Sequence, residues 1–77
     1  MKAVDVQLLL DDQGKAIPQK IIWQGQTFLV DSIGRRWVDE NGEHILVQLR
    51  DQRVFHLLLS PQGNWFQIPI RGGRERI

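Results

Sequence analysis

The stretch "WVDENGEHILVQLRDQRVFHLLL", residues 37–59, decides the fold class, because two successive β-hairpins can be read in it. Asn41-Gly42 is one of the strongest short hairpin signals, since both central positions of a type I′ turn require positive φ. Apolar and polar residues alternate after this turn, which predicts one strand over residues 43–50 and another over 53–60. The stretch is therefore mainly a strand end, a tight turn and an antiparallel strand pair.

Two registers are open for the second of these hairpins. A three-residue loop, 50–52, pairs odd-numbered residues with odd-numbered ones and places Val47 on one face with Phe55. A two-residue loop would bring His56 to that face instead. We favour the three-residue loop because it buries more apolar area and leaves both histidines, His44 and His56, outside.

The same alternation predicts the remaining strands. They cover residues 4–10, 19–24, 27–38 and 65–70, separated by turns at 11–14, 24–26 and 60–64. Pro18 is expected to open the second strand, and Gly34 to mark a bulge or bend inside the long third strand. The apolar alternation of the first strand predicts one buried face, made of Val4, Val6, Leu8 and Leu10.

About six short strands with no helical pattern predict an all-β domain over residues 1–70. A sheet this small must curl over its core, so we expect an antiparallel, partly open SH3-like or OB-like barrel. Residues 71–77 are expected to form a flexible tail rich in arginine and glycine. Apolar residues on the second sheet face either close the barrel or form an interface with another subunit. They are Ile22, Leu46, Val54 and Leu58.

Composition limits the function classes. The chain has 77 residues, no cysteine and a net charge of +1, so it offers neither disulfides nor a thiolate and is no obvious polyanion binder. Its first residues are charged and lack the apolar core of a signal peptide, and its longest apolar runs are too short to span a membrane. The expected location is the cytoplasm.

No set of residues predicts catalysis or a cofactor. His44 and His56 alone make a poor metal site, because catalytic zinc usually takes three protein ligands. Neither serine lies in a nucleophile elbow, and the acidic pairs Asp11-Asp12 and Asp39-Glu40 fall in turns where nothing should perturb them. We therefore expect no enzyme activity, no metal and no cofactor.

Candidate contact residues are basic or aromatic. Arginines beside an aromatic ring can hold single-stranded nucleic acid or a protein partner, as Arg35, Arg36 and Trp37 would. The tail adds Arg71, Arg74 and Arg76, which could seek phosphates. Large rings in a small domain usually form its core, and this is the expectation for Trp23 and Trp65. For Trp37, core and surface positions both stay open.

The order of these features resembles a small bacterial family of unknown function. The shared segments are "VDVQLLLDDQG", the proline Pro18, "IIWQGQTFLVDSIGRRWV", "HILVQLRDQRVFHLLL" and "NWF". Members of that family are similar to a domain found alone and at the C-terminus of Y-family DNA-polymerase-like repair proteins. The resemblance implies an SH3-like barrel and a role near DNA or a repair complex, and it transfers no catalytic residue. Aromatic residues that family members often carry after Trp37 are replaced here by "HILV".

Two functions from different classes follow. The first is a non-enzymatic protein-interaction module, which could also self-associate, because apolar residues line both strand faces and no catalytic set is present. The alternative is an accessory nucleic-acid-binding domain linked to DNA repair or replication, which rests on the arginines, the barrel shape and the resemblance. We favour the first.

Overall fold

The computed structural model describes residues 2–69, and these residues form seven antiparallel strands. The strands are β1 (Lys2–Ala3), β2 (Asp5–Leu10), β3 (Ala16–Trp23), β4 (Gln26–Asp39), β5 (Gly42–Leu49), β6 (Val54–Leu59) and β7 (Trp65–Ile68). They follow one another in the sheet in the order β1-β7-β6-β5-β4-β3-β2. The predicted all-β fold, a small open barrel of antiparallel strands, is confirmed. The predicted segments beyond residue 69, including the arginine tail, lie outside the described residues.

The N-terminal segment curls the sheet into a barrel. Sequence alternation predicts one strand here, but the segment divides at Val4 into β1 and β2, which lie at opposite ends of the strand order. β1 pairs with β7, and the buried Val4 donates its backbone N–H to the carbonyl oxygen of Trp65 at 3.1 Å. Because β2 then pairs with β3, the two ends of the sheet are joined by a single run of chain.

The predicted three-residue loop between β5 and β6 is confirmed. Leu49 donates its backbone N–H to the carbonyl oxygen of Arg53, and Gln52 takes a positive φ of 73° within the loop. Odd-numbered residues consequently face odd-numbered ones, as in the pair of Val47 with Phe55. These side chains belong to the interior core, which consists of Val4, Ile21, Phe28, Ile45, Val47, Leu49, Phe55 and Leu57. Trp23 and Trp65, predicted to form the core, are half-buried and pack against its edge.

The prediction of a type I′ turn at Asn41-Gly42 is wrong, although the hairpin itself is present. Asp39 pairs with Gly42, so the loop is one residue earlier, and Asn41 does not take positive φ. Gly42 is needed for another reason: a Cβ there would overlap the carbonyl oxygen of Leu59, and its φ is 135°. The pair of positive φ values typical of a type I′ turn occurs instead at Gln24-Gly25, at 52° and 76°.

Two bulges in the long strand β4 bend it away from β3 and toward β5. The predicted irregularity at Gly34 is confirmed by a register shift between Ile33 and Arg36, and a second shift follows Val30. β4 pairs with β3 only over residues 26–29 and then turns to β5. Each extra residue increases local twist and allows a long strand to curl around a small core.

The bend of β4 leaves a two-stranded arm at the end of the β2–β3 hairpin. Pro18 lies inside β3 and not before it, because β4 has already left this part of β3 and proline is tolerated at a strand edge. The predicted burial of Leu8 and Leu10 is wrong: they are 44% and 68% exposed. Only Val4, and in part Val6, reach the core from this face.

Candidate functional site

Arg35, Arg36 and Trp37 are not brought together into one surface. Arg35 is exposed, whereas Arg36 is half-buried and donates from Nε and Nη2 to Glu43 Oε2 at 3.2 and 2.8 Å. Cross-strand partners share a face, and Arg36 lies opposite Ile45 of the interior core while Trp37 lies opposite His44. Neighbours in the sequence therefore point to opposite faces of β4.

Trp37 forms an aromatic cluster with both histidines on the outer face of the sheet. Its ring is stacked on that of His44, with 4.9 Å between the centroids and 2° between the planes. The centroid of His56 lies 5.2 Å from that of Trp37 and 5.0 Å from that of His44. We call Trp37, His44, His56 and Asp39 the outer cluster.

The two imidazoles are in direct hydrogen-bond contact. His44 Nδ1 and His56 Nε2 are 2.8 Å apart, so one of these atoms donates and the other accepts. His44 Nε2 lies 2.8 Å from Asp39 Oδ2, and this contact is an ion pair only when the imidazole is protonated. The contact with His44 and the backbone N–H of Asn41 hold the pKa of the Asp39 carboxyl below its usual range.

Both histidines lie on the outer face of the sheet, as expected, but they are not both exposed to solvent. They lie off the interior core, diagonally across β5 and β6 as the sequence indicates, but His44 is only 5% exposed. Its neighbours Leu46 and Leu58 are equally buried on this outer face. The surplus of apolar residues on the second face, Leu46 and Leu58 among them, was the sequence signal for this burial, but alternation along β5 gave none for His44 itself.

The outer cluster offers an incomplete set of metal ligands. Within residues 2–69, no group of three or more His, Cys, Asp or Glu side chains is placed to hold a metal ion. His44 Nδ1 and His56 Nε2 face each other, and His44 Nε2 faces Asp39 Oδ2, so these three nitrogens do not point to a common metal position.

A second candidate site lies on β2. This strand is last in the sheet order, so one edge of its backbone has no described neighbour. Leu8, Leu9 and Leu10 are 44%, 51% and 68% exposed at its end. We call residues 8–10 with this free edge the β2 edge. An apolar, unpaired strand edge is a template for another strand, and the sequence missed it because alternation predicts burial here.

Comparison with known proteins gives no relative. No protein-family model, curated protein or solved structure matches this chain. The resemblance to a repair-associated domain therefore stays a prediction. The part of the chain that the structure describes contains no helix long and apolar enough to cross a membrane.

Proposed function

We propose that this domain is a non-enzymatic interaction module that associates with a second copy of itself through the β2 edge. The observation that carries this proposal is the exposure of Leu8, Leu9 and Leu10 on a strand with one edge that no other strand within residues 2–69 pairs with. Leucines at three successive positions alternate between the two faces of a strand, so both faces near this edge are apolar. Pairing with another strand would satisfy the backbone groups and remove apolar surface from water.

The sequence of β2 favours one register for a symmetric pair. With Leu9 on the two-fold axis, an antiparallel partner strand places Leu8 opposite Leu10 of the partner subunit. Gln7 then faces Asp11 of the partner subunit, and its amide can donate to that carboxylate. With Leu8 on the axis, Asp5 would oppose Asp11 of the partner subunit, and like charges directly opposite are destabilising. Charge therefore supports the Leu9-centred pair.

A cysteine cross-link tests this register. The natural chain has no cysteine, so Leu9→Cys introduces the only thiol. Residues that face each other in an antiparallel pair have Cα atoms roughly 4.5–5.5 Å apart, which is within the range of a disulfide. We expect rapid formation of a covalent dimer under mild oxidation, and little from the control Gln62→Cys in the exposed β6–β7 turn. Equal cross-linking of both variants, or none at residue 9, would contradict the proposal.

Nucleic-acid binding is the weaker hypothesis. Its candidate residues are divided between two faces, Arg36 is already paired with Glu43, and Trp37 is stacked on His44. Of these three, Arg35 is the one whose side chain is exposed. Binding of short DNA that weakens steeply with salt would favour this hypothesis over self-association. A cytoplasmic location also stays a prediction.

A further inference from the structure

We propose that a cleft between the start of β4 and the end of β5 binds an extended segment of another protein that carries an apolar residue next to an acidic one. The cleft has a volume of about 190 Å³ and is lined by Thr27, Phe28, Leu29, Leu49, Arg50 and Asp51. We call it the β4 cleft. This goes beyond self-association through the β2 edge, because it places a different partner on different strands.

The β4 cleft exists because β4 changes its neighbour along its length. Residues 26–29 pair with β3, and the pairing of β4 with β5 begins only at Val30, which lies opposite Leu49. Beyond that pair, Arg50 donates its backbone N–H to the carbonyl oxygen of Leu29 at 3.1 Å, and the chain then enters the β5–β6 loop. Before Leu29, the β4 backbone therefore has a strand on one side only within residues 2–69.

Thr27 presents a backbone donor and acceptor on this open side. In an antiparallel strand, the backbone groups of every second residue point to the same side. Since Leu29 directs its carbonyl oxygen at Arg50 and not at β3, Thr27 directs its N–H and C=O the same way. No strand within residues 2–69 pairs with Thr27 there. An extended peptide can bond to both groups, which is how strand addition provides affinity.

The floor of the β4 cleft is apolar and has the size of a side chain. Phe28 and Leu49 belong to the interior core and are 9% and 2% exposed, whereas Leu29 at the wall is 37% exposed. Pockets for drug-sized ligands measure roughly 300–1,000 Å³. A cleft of about 190 Å³ is too small for such a ligand, but it can take one aliphatic side chain of a bound segment.

Arg50 supplies the charge at the rim. Its side chain is exposed and forms no ion pair within residues 2–69. Asp51 is already neutralised, because Arg53 Nη2 lies 2.7 Å from its Oδ2 while the Arg53 guanidinium covers the Phe28 ring at 4.8 Å. Neighbouring residues of an extended chain point to opposite sides. An apolar side chain on the floor therefore turns an acidic neighbour outward, where Arg50 can pair with it.

Amide NMR of the labelled natural chain, titrated with the blocked peptide acetyl-Ala-Leu-Asp-Ala-amide, tests the β4 cleft. We expect saturable shifts of the Thr27 and Arg50 amide signals, because the Thr27 N–H gains an acceptor. Arg50→Gln should weaken binding about threefold, the contribution of one exposed ion pair. The control Arg35→Gln changes an exposed arginine outside the cleft and should bind like the natural chain. A peptide with alanine in place of leucine should bind at least about tenfold more weakly.

Four results would overturn the proposal. The first is the absence of saturable shifts at Thr27 up to millimolar peptide, and the second is equal binding of a peptide with lysine in place of aspartate. The third is a shift of Thr27 with protein concentration alone, which would mean that a second copy fills the cleft. The fourth is loss of peptide binding in Leu9→Lys, which would place the peptide at the β2 edge. If the natural chain is monomeric and Thr27 still responds to the peptide, only self-association fails.

Discussion

The indole ring of Trp37 lies parallel to the imidazole of His44, with 4.9 Å between the centroids and 2° between the planes. Since Trp37 is half-buried and rings of this size account for much of a small core, the stack should stabilise the domain. We expect Trp37→Ala to lower the free energy of unfolding by about 1–3 kcal/mol. Urea denaturation measures this. The control Val38→Ala, at a position 76% exposed, should change it by less than about 0.5 kcal/mol.

Arg36 should contribute more to the free energy of unfolding than Arg35. Arg36 is bonded to Glu43 with side-chain exposures of 20% and 30%, whereas Arg35 is exposed. In a double-mutant cycle, Arg36→Ala and Glu43→Ala should show a coupling of about 0.3–1 kcal/mol, and Arg35→Ala should be near neutral. Equal costs for the two arginines, without coupling to Glu43, would contradict the structural role of Arg36.

Gly42 should be the least replaceable of the turn glycines described here. A Cβ at Gly42 would overlap backbone of Leu59, whereas a Cβ at Gly63 would meet no atom within 4 Å. Both have positive φ, so both substitutions carry backbone strain of about 1–3 kcal/mol. Gly42→Ala should cost clearly more than Gly63→Ala in chemical denaturation. The reverse order would mean that the approach to Leu59 is not as close as described.

Asp39 should titrate below its ordinary pKa of 3.8, first because of its contact with His44 and then because of the Asn41 backbone N–H. A carboxyl with a depressed pKa in the folded state contributes stability that is present above 3.8 and is lost as the pH falls through the lower value. Carbon NMR of the carboxyl measures this directly. In Asp39→Asn the stability lost below pH 3.8 should be smaller than in the natural chain. An unshifted Asp39 would remove it from the outer cluster.

Local alternation predicts the β5–β6 hairpin, including its three-residue loop and the interior position of Val47 and Phe55. These features depend on neighbouring residues, which the sequence displays. The exposure of Leu10 depends instead on where β4 leaves β3, far along the chain, so strand patterning could not predict it. The burial of His44 was missed for a similar reason: it follows from contacts on the outer face that alternation along β5 does not encode.

Self-association through the β2 edge is the central claim, and sedimentation equilibrium over a range of protein concentrations tests it most directly. The natural chain should approach the mass of a dimer, twice 9.0 kDa, as its concentration rises. Leu9→Lys, which places two positive charges at the two-fold axis, should stay at the mass of one chain. The control Gln62→Lys should dimerise like the natural chain. A natural chain that remains monomeric at every concentration, or a Leu9→Lys variant that dimerises equally well, would contradict the claim.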